Sequence, residues 1–248
     1  MVINYSIKLL ILILILILYK YKTIKYNPID TSPYDIIYNT GGYYGFYQLG
    51  ICHYIKNNFI YKNKSVLGIS AGAWLSIFMG LDHDKSNYFL SKVFKKSKLD
   101  KPLYKIANLL KDIVTDMPTE YFDISNINIA VTELVTRKMI IHNKFLSLHE
   151  LSRCATASSF IPFVTQNNAI SFYKHKLIFD GGFLKKKYIK NVDTNKTLII
   201  SFNMFKRFKP YPLFSFIKPK RSLYELYILG YQDALKHREY LEKYLIPL

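Results

Sequence analysis

Residues 66–80 read Val-Leu-Gly-Ile-Ser-Ala-Gly-Ala-Trp-Leu-Ser-Ile-Phe-Met-Gly, a short apolar strand pattern that runs straight into a small-residue and apolar helix pattern. Ser70 falls at the break, with Gly68 and Gly72 two positions away on either side. This order limits the fold sharply. The strand must turn into the helix at once, and the helix must pack back on the strand. Side chains at 68 and 72 would collide where the two elements meet. Such a turn exposes the serine hydroxyl, the geometry of a nucleophile elbow. An ordinary strand–turn–helix with Ser70 as its N-cap uses the same residues.

Two further segments share this strand-then-glycine form. Leu177-Ile178-Phe179 leads into Asp180-Gly181-Gly182, which places one carboxylate at a strand end on a tight turn. Asp35 to Asn39 leads into Thr40-Gly41-Gly42-Tyr43-Tyr44-Gly45, and an apolar helix pattern follows from Phe46 to Phe59. Glycines between a strand and a helix expose backbone N–H groups at the positive end of the helix dipole, where they can hold a phosphate or an oxyanion. The nucleotide version is weaker, because neither G-x-x-x-x-G-K-[ST] nor a full G-x-G-x-x-G is present. A serine needs a base to take its proton. Asp180 can serve if burial beside Leu177, Ile178, Phe179 and Phe183 raises its pKa.

The order of Gly-rich loop, G-x-S-x-G and D-G-G resembles the patatin-like phospholipases, and within them the animal-type branch that includes adipose triglyceride lipase. The similarity runs from about Tyr34 to Gly182 and more loosely onward. It takes in residues 45–50 (GFYQLG), Ala130-Val131-Thr132-Glu133, and residues 151–158 (LSRCATAS) leading to Phe160-Ile161-Pro162. The resemblance implies hydrolysis of acyl esters of phospholipids or neutral glycerolipids through a Ser–Asp dyad without histidine. Ser70 is then the nucleophile and Asp180 the base. Gly41, Gly42 and Ala71 supply the oxyanion N–H groups, and Gly45, Gly68, Gly72, Gly181 and Gly182 are motif glycines. No metal or organic cofactor is implied. The chain departs from the family pattern at Thr40, where Gly is usual, at Tyr44, and in Phe183-Leu184-Lys185-Lys186-Lys187, where an Asn is common. A Thr held at positive φ would strain the oxyanion loop.

A histidine triad is the chemical rival. In the order Ser, acid, His, only His237 follows Asp180, and it lies in the basic, aromatic, helical pattern of 224–244. His53 and His149 have no partner at metal-ligand spacing, and H-E-x-x-H is absent. Cys52 and Cys154 lie in apolar helical contexts and are expected to be reduced core residues.

A length of 248 residues gives one catalytic domain, expected over 30–248, after an N-terminal segment at 1–26. Leu9 to Leu18 is an unbroken Leu/Ile run, short for a span of about 20 residues. No small-x-small cleavage site follows it, so an uncleaved anchor fits better than a signal peptide. A buried Ile/Leu strand is the third reading. Lys20, Lys22 and Lys25 outnumber Lys8, which places the catalytic domain on the cytoplasmic side. The net charge of +18 is spread along the chain without a zinc-finger, RRM or helix-turn-helix pattern. It therefore points to an anionic membrane surface and not to nucleic acid. An activator protein is left open.

Residues 86–114 read as one or two amphipathic helices broken near Pro102, as packing scaffold or as a lid. Ile127–Leu134 and Lys138–His142 read as strands joined at Thr136-Arg137, Ser147–Glu150 as a capping box, and Thr197–Ser201 as a buried strand. Residues 205–216, aromatic, basic and Pro-broken, read as a segment touching the membrane or as a plain loop. Strands alternating with helices imply an α/β fold, a three-layer sandwich around a mainly parallel sheet, with the site at the carboxyl ends of the strands. The class to weigh against an enzyme is a non-catalytic, membrane-anchored lipid-binding or scaffold protein that keeps the elbow as architecture.

Overall fold

Short runs of consecutive apolar residues become strands covered on both faces. The structure, a computed structural model, describes residues 34–96, 102–185, 189, 192–208 and 220–248. In chain order the elements are β1 (Ile36–Tyr38), α1 (Gly45–Asn58), β2 (Phe59–Ile60), β3 (Val66–Ile69), α2 (Ala71–Gly80), α3 (Ser86–Lys96), α4 (Leu103–Thr115), β4 (Ile127–Glu133), β5 (Lys138–His142), α5 (Leu148–Ser158), β6 (Ser171–Tyr173), β7 (Lys176–Phe179), β8 (Leu198–Ile200), α6 (Leu223–Lys236), α7 (Arg238–Glu242) and β9 (Ile246–Pro247). Every residue of β1, β3 and β4 is buried, the pattern of a parallel sheet packed from both sides.

Strands β8, β1, β3 and β4 run parallel in that order. Strand β5 is antiparallel on the outer flank of β4, and β7 is antiparallel to β4 and carries β6 beside it. This is a mixed α/β fold with a mostly parallel centre. One detail positions the site. On β4, Ile129 and Ala130 pair with both β3 and β5, while Thr132 and Glu133 pair with both β7 and β5. A strand has two flanks, so β3 and β7 share one of them. They meet end to end, with Ile69 opposite Ala130 and Phe179 opposite Thr132. The carboxyl ends of the two strands therefore face each other across the level of Val131.

Alternate strand residues serve opposite faces. Ile36, Tyr38, Val66, Ile127, Ile129 and Val131 join the main core with the helices, while Ile37, Leu67, Ile69 and Ala130 point to the back. There they meet Leu184, Ile189 and Val192. Helices α1 and α6 touch backbone to backbone. A Cβ on Gly50 would lie 2.0 Å from Tyr227 O, and one on Gly230 would lie 1.9 Å from Tyr47 O. Asp233 secures the same junction by accepting from Tyr47 Oη (2.7 Å) and from the guanidinium of Arg207. This draws the 203–208 segment inward. Phe208 packs on Tyr44 and Tyr47, with ring centroids 4.8 and 5.1 Å away, so this end of the expected loop is packed against the protein.

Helix α2 ends over a buried cation. Lys56 is fully buried, and its Nζ donates to Phe78 O (2.7 Å) and to Leu81 O at the carboxyl end of α2. Burial pushes its pKa down to about 7, while acceptor carbonyls at a helix C-terminus favour the charged form. Pro102 separates α3 and α4 as expected, and Arg137 takes φ 54 in the turn between β4 and β5. At Ser147 only half of the expected capping box forms. Ser147 Oγ accepts from Glu150 N (3.2 Å), but the Glu150 carboxylate accepts from Leu146 N (2.9 Å) and pairs with Lys174 (2.8 Å). The complete box is Ser222–Glu225 at the start of α6. Cys52 and Cys154 are both buried free thiols. The Leu9–Leu18 run and the boundary before residue 30 lie outside the described residues. Among the described residues no helix is long and apolar enough to cross a membrane.

Candidate active site

The elbow forms as the glycine spacing requires. Ser70 takes φ 58 and ψ −121 between β3 and α2, a strained conformation for a residue with a side chain. A Cβ on Gly72 would lie 1.9 Å from Tyr38 O, and one on Gly68 would lie 2.6 Å from the Cα of Ala73. Helix α2 thus lies directly on the strands, and any side chain at these points would lift it away. The strained turn is fixed by hydrogen bonds. Ser70 N donates to Ser158 Oγ (2.8 Å), and Ser158 Oγ donates to Ala130 O (2.7 Å). The last turn of α5 thereby ties the elbow to β4.

The end-to-end meeting of β3 and β7 brings the carboxylate to the hydroxyl. Ser70 Oγ donates to Asp180 Oδ2 at 2.5 Å, and both residues are buried. Asp180 is held on all sides. Its Oδ1 accepts from Gly182 N (2.7 Å), its N donates to Phe160 O (2.8 Å), and its carbonyl accepts from Thr132 Oγ1 (2.8 Å). Gly181 sits so close to Ala130 that a Cβ would be 2.2 Å from its carbonyl oxygen. Burial pushes the Asp180 carboxyl up to about 6, against hydrogen bonds from Ser70 and Gly182 and the charge of Lys185, which lower it. A carboxylate with that pKa is ionised at neutral pH and basic enough to accept a proton from a hydroxyl under attack.

The glycine loop comes to the same place. Gly42 has φ 52, where glycine is at home, while Thr40 is not among the residues at positive φ. The strain expected at Thr40 is absent because the left-handed residue is Gly42. The amides of Gly42 and Ala71 have no acceptor among the described residues, and both residues line the cleft beside Ser70. A Cβ on Gly41 would lie 2.2 Å from Gln48 Oε1 and 2.8 Å from Gly45 N, and Gly41 does not line the cleft. Gly45 begins α1, where an added Cβ would be 3.0 Å from Ala71 Cβ. A Cβ on Gly182 would meet Thr40 Cγ2 at 2.3 Å, so the loop and the D-G-G turn are also in contact.

From Ser70 an apolar cleft of about 710 Å³, its open mouth included, runs between the helices. Phe46 and Leu49 of α1, Trp74, Leu75 and Phe78 of α2, and Phe89 of α3 form its sides. Helix α4 closes it with Leu103, Ile106, Ala107 and Leu110, one stripe at helical spacing. Of the two roles open to residues 86–114, this puts α4 in the cleft wall.

The histidines are placed elsewhere. His237 ends α6, donates from Nδ1 to Asp233 O (2.8 Å) and stacks on Phe205 with centroids 4.4 Å apart. His53 is buried against Tyr227 Oη (2.6 Å), and burial pushes its pKa down to about 4. Several positioning groups had no assigned role in the sequence reading. They are Ser158, Thr132, Asn39, Gln48 and Lys185. Ser158 and Thr132 lie within the motifs quoted above, and hydroxyls in otherwise apolar strand and helix ends were the available signal.

A family model described as Patatin-like phospholipase matches residues 40–189 of the chain. No curated protein matches it.

Proposed function

Because the chain belongs to the patatin-like phospholipase family, a family of lipid acyl hydrolases, we propose that it cleaves carboxylic esters of glycerophospholipids or acylglycerols at Ser70. The 2.5 Å hydrogen bond from Ser70 Oγ to Asp180 carries this reading. Ser70 Oγ attacks the ester carbonyl as Asp180 takes its proton. The amides of Gly42 and Ala71, with Gly41 next to them, stabilise the oxyanion. Collapse of the tetrahedral intermediate breaks the bond to the alcohol, which leaves with the proton from Asp180. Water, deprotonated by Asp180, then releases the fatty acid from Ser70.

The apolar lining of the cleft beside Ser70 suits a fatty acyl chain in kind. The animal-type branch is our reading of the motifs. We also propose a three-layer sandwich for the fold, and we take the Leu9–Leu18 run as a membrane anchor. The anchor and the +18 charge favour a catalytic domain held against an anionic cytoplasmic membrane surface. The scaffold alternative leans on the family's usual Gly being Thr40 here, and Thr40 is not at positive φ.

Product analysis on mixed phospholipid and triacylglycerol vesicles tests the reading. Free fatty acid released by the wild type and not by Asp180→Asn is the expected result. Equal release by both proteins contradicts it.

A further inference from the structure

A cation just past the D-G-G turn reaches the start of the glycine loop. Lys185 lies just past the Gly181–Phe183 turn, and its Nζ donates to Thr40 Oγ1 and to Asn39 Oδ1 (3.3 Å). Asn39 Oδ1 also accepts the N–H of Thr40 (2.7 Å), and its carbonyl accepts from Gln48 Nε2 (3.1 Å). Gln48 is fully buried and holds Ile200 O on β8 as well (3.1 Å). The approach to Gly42 is therefore held at Asn39 by Gln48 of α1 and by Lys185 just past the Asp180 turn.

We infer that Lys185 is a positioning residue for acyl transfer, locking the Asn39–Thr40 loop to the Asp180 turn and so fixing the Gly42 amide relative to Ser70 and Asp180. The inference rests on the hydrolase reading above. Two halves of the site come from segments far apart in the chain, and a misplacement of about 1 Å between them costs rate steeply. A cation that donates to a hydroxyl and an amide oxygen has the chemistry for this task. Its charge also acts on the base. Asp180 is raised by burial and lowered by the hydrogen bonds of Ser70 and Gly182, and Lys185 lowers it further. Ser70 faces Asp180 from the elbow, Gly182 from its own turn and Thr132 from β4, all uncharged. Lys185 is the charged group acting on it among the described residues.

The test is the pH dependence of kcat and KM on a short-chain p-nitrophenyl ester for wild type, Lys185→Met, Lys185→Arg and Thr40→Val. Lys185→Met is expected to lower kcat about tenfold with KM within about twofold. Its acid limb should move to higher pH, because losing the nearby cation raises the pKa of the base. Lys185→Arg should recover both. Thr40→Val, which keeps the cation but removes its acceptor, should lower kcat without moving the acid limb, and its loss should not add to that of Lys185→Met. An active wild type with Lys185→Met unchanged in kcat and acid limb overturns the inference alone. If Lys185→Met does not fold, Thr40→Val at wild-type kcat overturns it. A wild type that neither hydrolyses the ester nor reacts with a fluorophosphonate overturns the hydrolase reading and this inference with it.

Discussion

The two ends of helix α2 each meet a buried charge, and the charges are opposite in sign. At the amino end Asp180 touches Ser70, while at the carboxyl end Lys56 holds the carbonyls of Phe78 and Leu81. Both placements suit the helix dipole. Both groups are shifted toward neutrality by burial, Asp180 up to about 6 and Lys56 down to about 7. What separates them is access. Ser70 lines the cleft, so the proton shared with Asp180 lies beside the space a substrate would occupy. Lys56 is sealed in, with its protons on main-chain carbonyls. On the proposed reading, the same physics makes a base at one end and a cap at the other.

The largest expected effect breaks the amino end alone. Ser70→Ala and Asp180→Ala should each lower ester hydrolysis by about 10⁴-fold or more, with circular dichroism unchanged. An active Ser70→Ala protein would end the hypothesis. Next, Gly42→Ala should cost about 10²–10³-fold in kcat, because alanine is strained at φ 52 and moves the amide. The control is Lys56→Met, which should leave kcat near wild type.

Stability separates the two ends further. Asp180 has a folded pKa above its unfolded value, so the folded state binds more protons between about pH 4 and 6, and stability falls as pH rises through that window. Asp180→Asn should therefore be more stable than wild type above pH 6, by up to about 3 kcal/mol, and lose that advantage near pH 4. Chemical denaturation at the two pH values measures this. For catalysis the sign is opposite. The ionised base is required, so kcat/KM should fall below about pH 6. Lys56 has a folded pKa below its unfolded value, so the unfolded state binds more protons between about pH 7 and 10.5, and stability gains as pH rises there. The stability of wild type relative to Lys56→Met should rise across that range, by up to about 5 kcal/mol. A flat difference would show that the carbonyls keep Lys56 charged throughout.

Much of the amino end was legible because local sterics dictate it. Gly68 and Gly72 mark the elbow, and the Leu177–Phe179 run marks the strand that delivers Asp180. The strands β3 and β4 and helices α1, α2 and α5 followed from apolar periodicity within a residue or two at their ends. What sequence could not supply was long-range. The sharing of one β4 flank by β3 and β7 depends on pairing register. The β6–β7 hairpin carries no Asn-Gly or Asp-Gly signal, because Lys174 and His175 occupy its two left-handed positions at φ 46 and 62. The condition attached to Thr40, a positive φ, is met at Gly42 instead, because residue type alone does not say which loop position is left-handed. The capping box at Ser147 was half right, since Lys174, distant in sequence, competes for Glu150. Lys56 gave no signal at all. A lysine on a helix reads as solvated, and only packing shows it buried.

The central claim is that Ser70, prepared by Asp180, forms a covalent acyl-type adduct. Intact-mass spectrometry after a fluorophosphonate probe, followed by peptide mapping, tests it most directly. The account predicts one adduct on Ser70 in the wild type, none in Ser70→Ala, and strongly slowed labelling in Asp180→Asn. Equal labelling of wild type and Ser70→Ala, or an adduct mapped to another residue, would contradict it.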